Sequence, residues 1–178
     1  PLVTKSWPAQ MVRFPGRERR LETGYASITS DDFAQVVAAR LEAVGATVLL
    51  GRRVEAVDGT AVRLDGGTVL HAPTLIDARG PAAGLLRRRT AYQKFLGLEL
   101  ELASDGPWTQ PIVMDASVPQ IDGFRFVYVL PFSRRRVLIE DTTYSDNRAL
   151  DAAAAEGRVL EYAEHAGARV RCVRRREV

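Results

Sequence analysis

The stretch that most constrains this chain runs from Phe124 to Tyr144 and reads FRFVYVLPFSRRRVLIEDTTY. Two runs rich in β-branched and aromatic residues flank an arginine-rich polar break, which is the pattern of a β-hairpin. Two adjacent acids, Glu140 and Asp141, stand near the end of the second run, directly after three apolar residues. Because a carboxylate is costly in an apolar strand, an acid at this place is either a costly accident or a functional group.

Successive residues of a strand point to opposite faces, so only one of the two acids can share a face with the aromatic side chains. The turn around residues 133–136 decides which one, because a slip of one residue flips every side chain. An odd-numbered loop places Glu140 on the aromatic face, and an even-numbered loop places Asp141 there. Such a stripe is commonly a core face, but its rings can also stabilise a cation. The stripe consists of Phe124, Phe126, Tyr128, Leu130 and Phe132.

Glu140 has two possible interpretations. A free glutamate has a pKa of about 4.3 and is mostly ionised at neutral pH. Desolvation in an apolar pocket raises the pKa and prepares the group to donate a proton. A salt bridge to one of the arginines at 134–136 lowers the pKa instead. The residues alone leave both interpretations open.

Composition narrows the class of protein. The 178 residues include 25 basic and 22 acidic side chains, and the basic ones are nearly all arginine. No aromatic-interleaved basic module is present, so nucleic-acid binding is not expected, and no Cys/His cluster predicts a metal site. The single cysteine, Cys172, is expected to be a buried core residue in a reducing, cytoplasmic setting. The arginine clusters are expected in solvated loops, with attraction to anionic lipid as the alternative.

The periodicity predicts a strand-rich α/β chain. A helix is expected from the cap Ser30 to Gly45, and a second one at about 148–166. Strands are expected on both sides of a turn at Pro15–Gly16, and an alternating strand at 95–102. The run 72–78 is apolar and predicts a buried strand. Four further short strands are predicted at Thr47–Leu50, Arg53–Val57, Ala61–Leu64 and Thr68–His71.

Seven phrases follow one another along the chain: RFP (13–15), GY (24–25) with ITS (28–30), IDARG (76–80), IVMDA (112–116), GFRFVY (123–128), LP (130–131) and LIEDT (138–142). Together and in this order they resemble the bacterial type of lycopene beta-cyclase, a flavoprotein family of carotenoid biosynthesis. They extend from about residue 12 to residue 150, and the resemblance implies that the chain is the middle portion of a longer protein. The amino-terminal glycine fingerprint and the carboxy-terminal segment are expected outside it.

The resemblance implies a partial Rossmann-like FAD/NAD(P)-binding fold of the flavin hydroxylase type, with a mixed β-sheet as substrate half. Residues 1–30 are then strands leading from the substrate half, and residues 31–80 part of the FAD half. Residues 92–178 are the substrate-half sheet and the helix that follows. The expected cofactor-binding residues are Val54, near the adenine end, with Asp77 and Gly80 in a turn that approaches the flavin.

The implied activity is the cyclisation of the ends of lycopene to β-ionone rings, an isomerase (intramolecular lyase) reaction. It needs reduced FAD, with NADPH as the expected electron source, and has no net redox change. The resemblance makes Glu140 the expected acid, with Phe126, Tyr128, Leu138 and Asp141 as candidate pocket residues. Peripheral attachment to a membrane in the cytoplasm follows from the apolar substrate. The alternatives are an FAD-dependent monooxygenase of the same fold and an inactive fragment.

Overall fold

The structure is a computed structural model that describes residues 2–79 and 91–178. The described residues fold into a mixed arrangement of α-helices and β-strands. The helices are α1 (Ser30–Ala43) and α2 (Ala152–His165). The strands are β1 (Lys5–Trp7), β2 (Gln10–Phe14), β3 (Arg17–Leu21), β4 (Tyr25–Ser27), β5 (Val54–Asp58), β6 (Ala61–Leu64), β7 (Val69–His71), β8 (Tyr92–Leu102), β9 (Ile112–Asp115), β10 (Phe124–Pro131), β11 (Arg136–Ser145) and β12 (Val170–Glu177).

The described residues divide into two compact units, one of residues 2–32 and 91–178 and one of residues 33–79. The first unit holds a seven-stranded sheet in the order β12-β8-β11-β10-β9-β2-β3. The pair β2–β9 is parallel and its other pairs are antiparallel. The expectation of a mixed sheet is therefore confirmed. Strands β1 and β4 form a separate antiparallel pair in the same unit.

The core of the first unit lies between β8 and α2. The leucines of β8 occupy alternate positions, and this puts them on the face of the sheet that α2 covers. They are at most 2% exposed, and each contributes roughly 1.5–3 kcal/mol by its burial. The predicted alternation is therefore confirmed. The buried cluster joins Leu96, Leu98, Leu100 and Leu102 with Val127, Val129, Val137, Ile139, Ala155, Val159 and Ala163.

The second helix begins at residue 152, later than the sequence pattern indicates. Asp151 caps it by accepting a hydrogen bond from the amide nitrogen of Ala154 at 3.0 Å. A side chain that satisfies a free amide stabilises a helix start by about 1 kcal/mol. The predicted start near residue 148 is wrong because the cap, and not the apolar spacing, fixes the first turn.

The first helix is confirmed, but its cap is one residue earlier than predicted. Thr29 accepts a hydrogen bond on Oγ1 from the amide nitrogen of Asp32 at 3.2 Å, and Ser30 already lies in the helix. At the other end Gly45 has φ +66°, a conformation that glycine adopts without strain. Strands β5, β6 and β7 follow and form a three-stranded antiparallel sheet.

Two predicted strands of the second unit are absent from the described residues. Thr47–Leu50 and the run 72–78 carry no strand pairing, and Leu50 and Ile76 are 85% and 90% exposed. An apolar run becomes a strand only where a neighbouring strand accepts its backbone hydrogen bonds. Neither run pairs with a strand of the described residues, so the prediction of a buried strand at 72–78 is wrong for this chain.

The position of the single cysteine differs from the prediction. Cys172 is exposed, which corrects the expectation that it is buried. It lies on β12, the edge strand of the large sheet, where one side of the strand is open.

Neither helix of the described residues is long and apolar enough to cross a membrane.

Candidate functional site

The register of the β10–β11 hairpin determines which acid joins the aromatic stripe. The last pair before the turn is Pro131 with Val137, which leaves the five residues 132–136 in the loop. Further along, Tyr128 pairs with Glu140. Directly paired residues share a face of the sheet. The loop is odd-numbered, and Glu140 is the acid on the aromatic face.

Glu140 is half-buried and makes no ion pair among the described residues. Burial raises the pKa of the Glu140 carboxyl above its usual value, and the negative charge of Glu177 on β12 adds to the rise. A hydrogen bond from Thr142 Oγ1 to Oε1, at 2.6 Å, opposes it. The net direction is upward because desolvation dominates, and an elevated pKa suits a proton donor at neutral pH.

The alternative, a salt bridge between Glu140 and the arginines of the turn, is wrong. Arg136 pairs with Glu99 of β8 through Nε at 2.7 Å. Arg134 and Arg135 both lie near Asp105, at 3.9 and 3.2 Å. These acids draw the three guanidinium groups away from Glu140, so the turn does not lower its pKa.

Aromatic side chains from the strand pair β1–β4 lie near the same face. The hydroxyl of Tyr25 is 2.5 Å from that of Tyr128, and burial raises the pKa of Tyr128. The ring of Trp7 lies 6.3 Å from that of Tyr25 and 6.2 Å from that of Phe132, measured between centroids. The indole Nε1 of Trp7 is buried and has no hydrogen-bond partner among the described residues. Glu140 therefore faces a surface lined by neutral, electron-rich rings.

The other expected pocket residues on β10 and β11 share this face. Phe126 is 7% exposed and stacks on Tyr144 with ring centroids 5.9 Å apart. Leu138 precedes Glu140 by two residues and therefore points to the same side. Beside both lies Gly97, the partner of Glu140 on β8. A Cβ at Gly97 would meet Leu138 Cδ1 at 3.3 Å and Glu140 Cβ at 3.8 Å.

Asp141 does not line this surface, which corrects its place among the candidate pocket residues. It turns to the opposite face, where its side chain is fully buried. Its carboxylate accepts hydrogen bonds from Arg125 Nε at 2.5 Å and from Arg158 Nε of α2 at 2.6 Å. A buried carboxylate needs this kind of compensation. Asp141 therefore joins the sheet to α2.

The candidate cofactor residues of the second unit come together around Arg79. Asp77 pairs with Arg79 through Oδ2 at 2.6 Å, and the Arg79 guanidinium reaches the carbonyl oxygen of Val54 at 3.4 Å. This arginine lowers the pKa of Asp77 to about 2. Gly80 lies outside the described residues. The side chains line a hollow of about 230 Å³ that includes Val54, Val57, Val62, Leu75, Ile76, Asp77 and Arg79.

Sequence reasoning missed several residues near Glu140. Thr142 and Tyr25 occur in the phrases that carry the resemblance, but nothing in their spacing marks a contact with Glu140 or Tyr128. Gly97 had a usable signal, since a glycine in the interior of a leucine-rich strand often marks a close approach. Glu177 was missed because the arginine-rich run that precedes it does not indicate a strand, whereas β12 extends to residue 177.

Comparison with known proteins decides the family. The family described as lycopene cyclase protein matches residues 1–178. The chain belongs to the lycopene cyclase family. It is 41% identical over 177 residues to the lycopene beta-cyclase of Pantoea ananas, covering 99% of this chain and 45% of that protein.

Two further relatives of this lycopene cyclase family chain are also lycopene beta-cyclases. The protein from Pseudescherichia vulneris is 42% identical over 167 residues, and that from Paracoccus sp. (strain N81106 / MBIC 01143) is 39% identical over 167 residues. Each match covers 94% of this chain and 42% of the relative. The chain thus spans less than half the length of the curated relatives it matches.

Proposed function

We propose that the full-length protein cyclises the acyclic ends of lycopene to β-ionone rings, with Glu140 as the proton donor. The observation that carries this proposal is the half-buried carboxyl of Glu140, which makes no ion pair among the described residues and lies on a face lined by aromatic rings. The membership of the chain in the lycopene cyclase family and the names of its relatives support the substrate.

The proposed step starts with a neutral Glu140. The carboxyl transfers its proton to a terminal carbon–carbon double bond, and a carbocation forms. The cation closes the ring by reacting with a second double bond. A proton then passes to a base, either the Glu140 carboxylate or water, and the ring double bond forms; Glu140 is protonated again before the next cycle. The numbers of protons and electrons are unchanged overall, so the product is an isomer of the substrate. A raised pKa is what this first transfer requires.

The aromatic surface has a separate task in this proposal. The rings of Tyr128 and Phe126 share a sheet face with Glu140, and Tyr25 contacts Tyr128. Aromatic π-faces stabilise a desolvated cation by about 2 kcal/mol or more. The hydrogen bond between the two tyrosines ties β4 to β10. We propose that this surface excludes water, which would otherwise capture the cation.

We propose FAD as the cofactor, with Val54, Asp77 and Arg79 among the residues that hold it. The hollow beside Val54 has a largely apolar lining that can contact a ring system, and the exposed Asp77–Arg79 pair at its side supplies polar groups. We extend this to a Rossmann-like FAD-binding half, completed by segments outside this chain. Bound in its reduced form, with NADPH as the electron source, FAD would supply electron density near a positively charged intermediate.

The decisive experiment compares Glu140→Gln with Asp141→Asn in the full-length enzyme. We expect Glu140→Gln to abolish β-carotene formation in the presence of reduced FAD while leaving the Tm near that of the wild type. Asp141→Asn should instead lower the stability by about 3 kcal/mol, because it breaks a buried ion pair. Near-wild-type turnover by Glu140→Gln would show that Glu140 is not the donor.

Oxygen consumption separates this proposal from a monooxygenase. A cyclase forms an isomer and should use no oxygen per product molecule, whereas a monooxygenase consumes oxygen and NADPH in step with product. An oxygen electrode in the full-length assay measures this ratio directly. One oxygen consumed per product would overturn the proposed reaction type.

We also propose that the full-length protein collects its apolar substrate at the cytoplasmic membrane surface. Arg17 and Arg19 on the edge strand β3 are exposed and make no ion pair among the described residues. The nearby Phe14 at the turn is 41% exposed. Basic residues held near an anionic membrane contribute about 1 kcal/mol each. Flotation with anionic and neutral vesicles tests this attachment.

A further inference from the structure

The hydroxyl of Thr142 is the one side-chain hydrogen-bond partner that Glu140 has among the described residues. Thr142 follows Glu140 by two residues on β11, so both side chains lie on the same face. Its Oγ1 is 2.6 Å from Glu140 Oε1, and the residue is 0% exposed. The contact is therefore shielded from the water that would otherwise compete with it.

Strand pairing on both sides of β11 fixes the backbone that carries the Thr142 hydroxyl. Thr142 pairs with Phe126 of β10 and with Phe95 of β8, in the middle of the seven-stranded sheet. A β-branched side chain has few accessible rotamers at χ1. The Thr142 hydroxyl can therefore serve as a rigid reference point for the more flexible side chain of Glu140.

We propose that Thr142 is a positioning residue that holds the Glu140 carboxyl in the direction required for proton transfer. A threonine hydroxyl both donates and accepts hydrogen bonds. It donates to Oε1 when Glu140 is ionised, and it accepts from the carboxyl when Glu140 is protonated. The bond can thus persist through a catalytic cycle. This inference rests on the proposed role of Glu140 as the donor.

Thr142 also acts on the proton affinity of Glu140. Burial raises the pKa of Glu140, the hydrogen bond from Thr142 lowers it, and the charge of Glu177 raises it. Removal of the Thr142 hydroxyl should therefore raise the pKa further. The alkaline limb of activity reports ionisation of the donor, so this limb should move to higher pH in a variant that lacks the hydroxyl.

The other groups around Glu140 do not obscure this effect. On β10, the opposite residue is Tyr128, whose raised pKa keeps it neutral. On β8, Glu99 is paired with Arg136 at 2.7 Å. On β12, Arg175 lies 3.4 Å from Glu177, and Arg174 lies 3.4 Å from Glu99. None of these arginines makes an ion pair with Glu140 among the described residues.

The test uses Thr142→Val and Thr142→Ser in the full-length enzyme, with Thr143→Val as the matched control. Thr143 is the next residue, is also buried, and points to the opposite face. Thr142→Val should lower kcat by roughly ten- to a hundredfold because the donor loses its orientation, and should move the alkaline limb to higher pH. Thr142→Ser should restore both properties, and Thr143→Val should change neither.

An infrared titration gives a second readout that does not depend on turnover. The band of the protonated Glu140 carboxyl is assigned by its loss in Glu140→Gln, and its midpoint is followed with pH. We expect a higher midpoint in Thr142→Val than in the wild type and in Thr143→Val. If Thr142→Val does not fold, the smaller Thr142→Ala removes the same hydroxyl without adding volume.

An unchanged infrared midpoint and an unchanged pH profile in Thr142→Val would overturn the positioning role. The result is distinct from failure of the proposed function, which is shown by turnover in Glu140→Gln. If Glu140→Gln is active while Thr142→Val still raises the midpoint, the contact is real but Glu140 is not the donor, and the role in catalysis is overturned.

Discussion

The two adjacent carboxylates of β11 meet different surroundings because the strand turns them to opposite faces of the sheet. Asp141 accepts hydrogen bonds from two guanidinium groups, and these compensate the free-energy cost of burying its negative charge. Glu140 keeps a raised pKa because desolvation is its largest influence and no cation pairs with it among the described residues. One acid therefore stabilises the fold, and the other is available for chemistry.

A substitution at Glu177 tests this electrostatic explanation, because it should shift the pKa of Glu140 in the direction opposite to that expected for Thr142→Val. Its negative charge raises the pKa of Glu140, and both residues pair with Gly97 across β8. Glu177→Gln removes the repulsion, so the pKa of Glu140 should fall and the alkaline limb of activity should move to lower pH.

The measurement for Glu177→Gln is the pH dependence of cyclisation together with the infrared midpoint of Glu140. Glu101→Gln is the matched control, since Glu101 lies on β8 beside Arg171 and Arg174 and does not contribute to the pKa of Glu140. A shift to higher pH in Glu177→Gln, or equal shifts in both variants, would contradict the account.

At the scale of elements, the β10–β11 hairpin depends on the backbone that leads into it. Asp122 has φ +57° and Gly123 has φ +117°, and the two residues bring the chain close to the end of β11. A Cβ at Gly123 would lie 2.1 Å from the carbonyl oxygen of Tyr144. This is a contact with backbone, which cannot move without loss of strand pairing.

We therefore expect Gly123→Ala to destabilise the protein by more than about 3 kcal/mol, since strain and a backbone clash act together. Gly167→Ala is the matched control, because Gly167 also has a positive φ of +81° but no atom within 4 Å of an added Cβ. It should cost about 1 kcal/mol. Chemical denaturation of both variants measures the difference, and equal losses would show that the clash does not matter.

The elements of the first unit were largely predictable, but the contacts of the site were not. The alternating leucines of β8 and the aromatic run of β10 indicate strands whatever their neighbours, because the pattern of burial has a period of two. The pairing of Glu140 with Tyr128 depends on whether the turn contains an odd or an even number of residues. Sequence propensities do not predict a loop length to within one residue. The Tyr25–Tyr128 contact joins residues 103 positions apart, and no local pattern reports it.

At the scale of the whole molecule, the two units differ in how much of their apolar sequence is paired. In the first unit the leucines of β8, together with Val127, Val129 and Val137 of β10 and β11, form the buried cluster that includes α2. In the second unit the runs 47–50 and 74–78 have no strand pairing, and their apolar side chains are largely exposed. The sequence pattern predicted strands there because it reports the intrinsic preference of a run and not the presence of a partner.

Hydrogen exchange tests this difference. We expect the amides of 47–50 and 74–78 to exchange almost without protection in the 178-residue chain, whereas those of β8 and β11 exchange most slowly. In the full-length protein we expect both runs to become protected, since the chain spans 45% of a related cyclase. Equal protection of these runs and of β8 in the short chain would contradict the prediction.

The five-residue loop between Pro131 and Val137 has a consequence for changes in chain length. Removal or insertion of one residue there would exchange the surroundings of the two acids, provided the strands stayed paired. Glu140 would enter the space beside Arg125 and Arg158, and Asp141 would replace it among the rings. Activity and stability would be lost together, from a change that touches neither acid. Removal or insertion of two residues in the loop keeps each acid on its present face of the sheet. This hairpin should therefore tolerate insertions and deletions only in pairs.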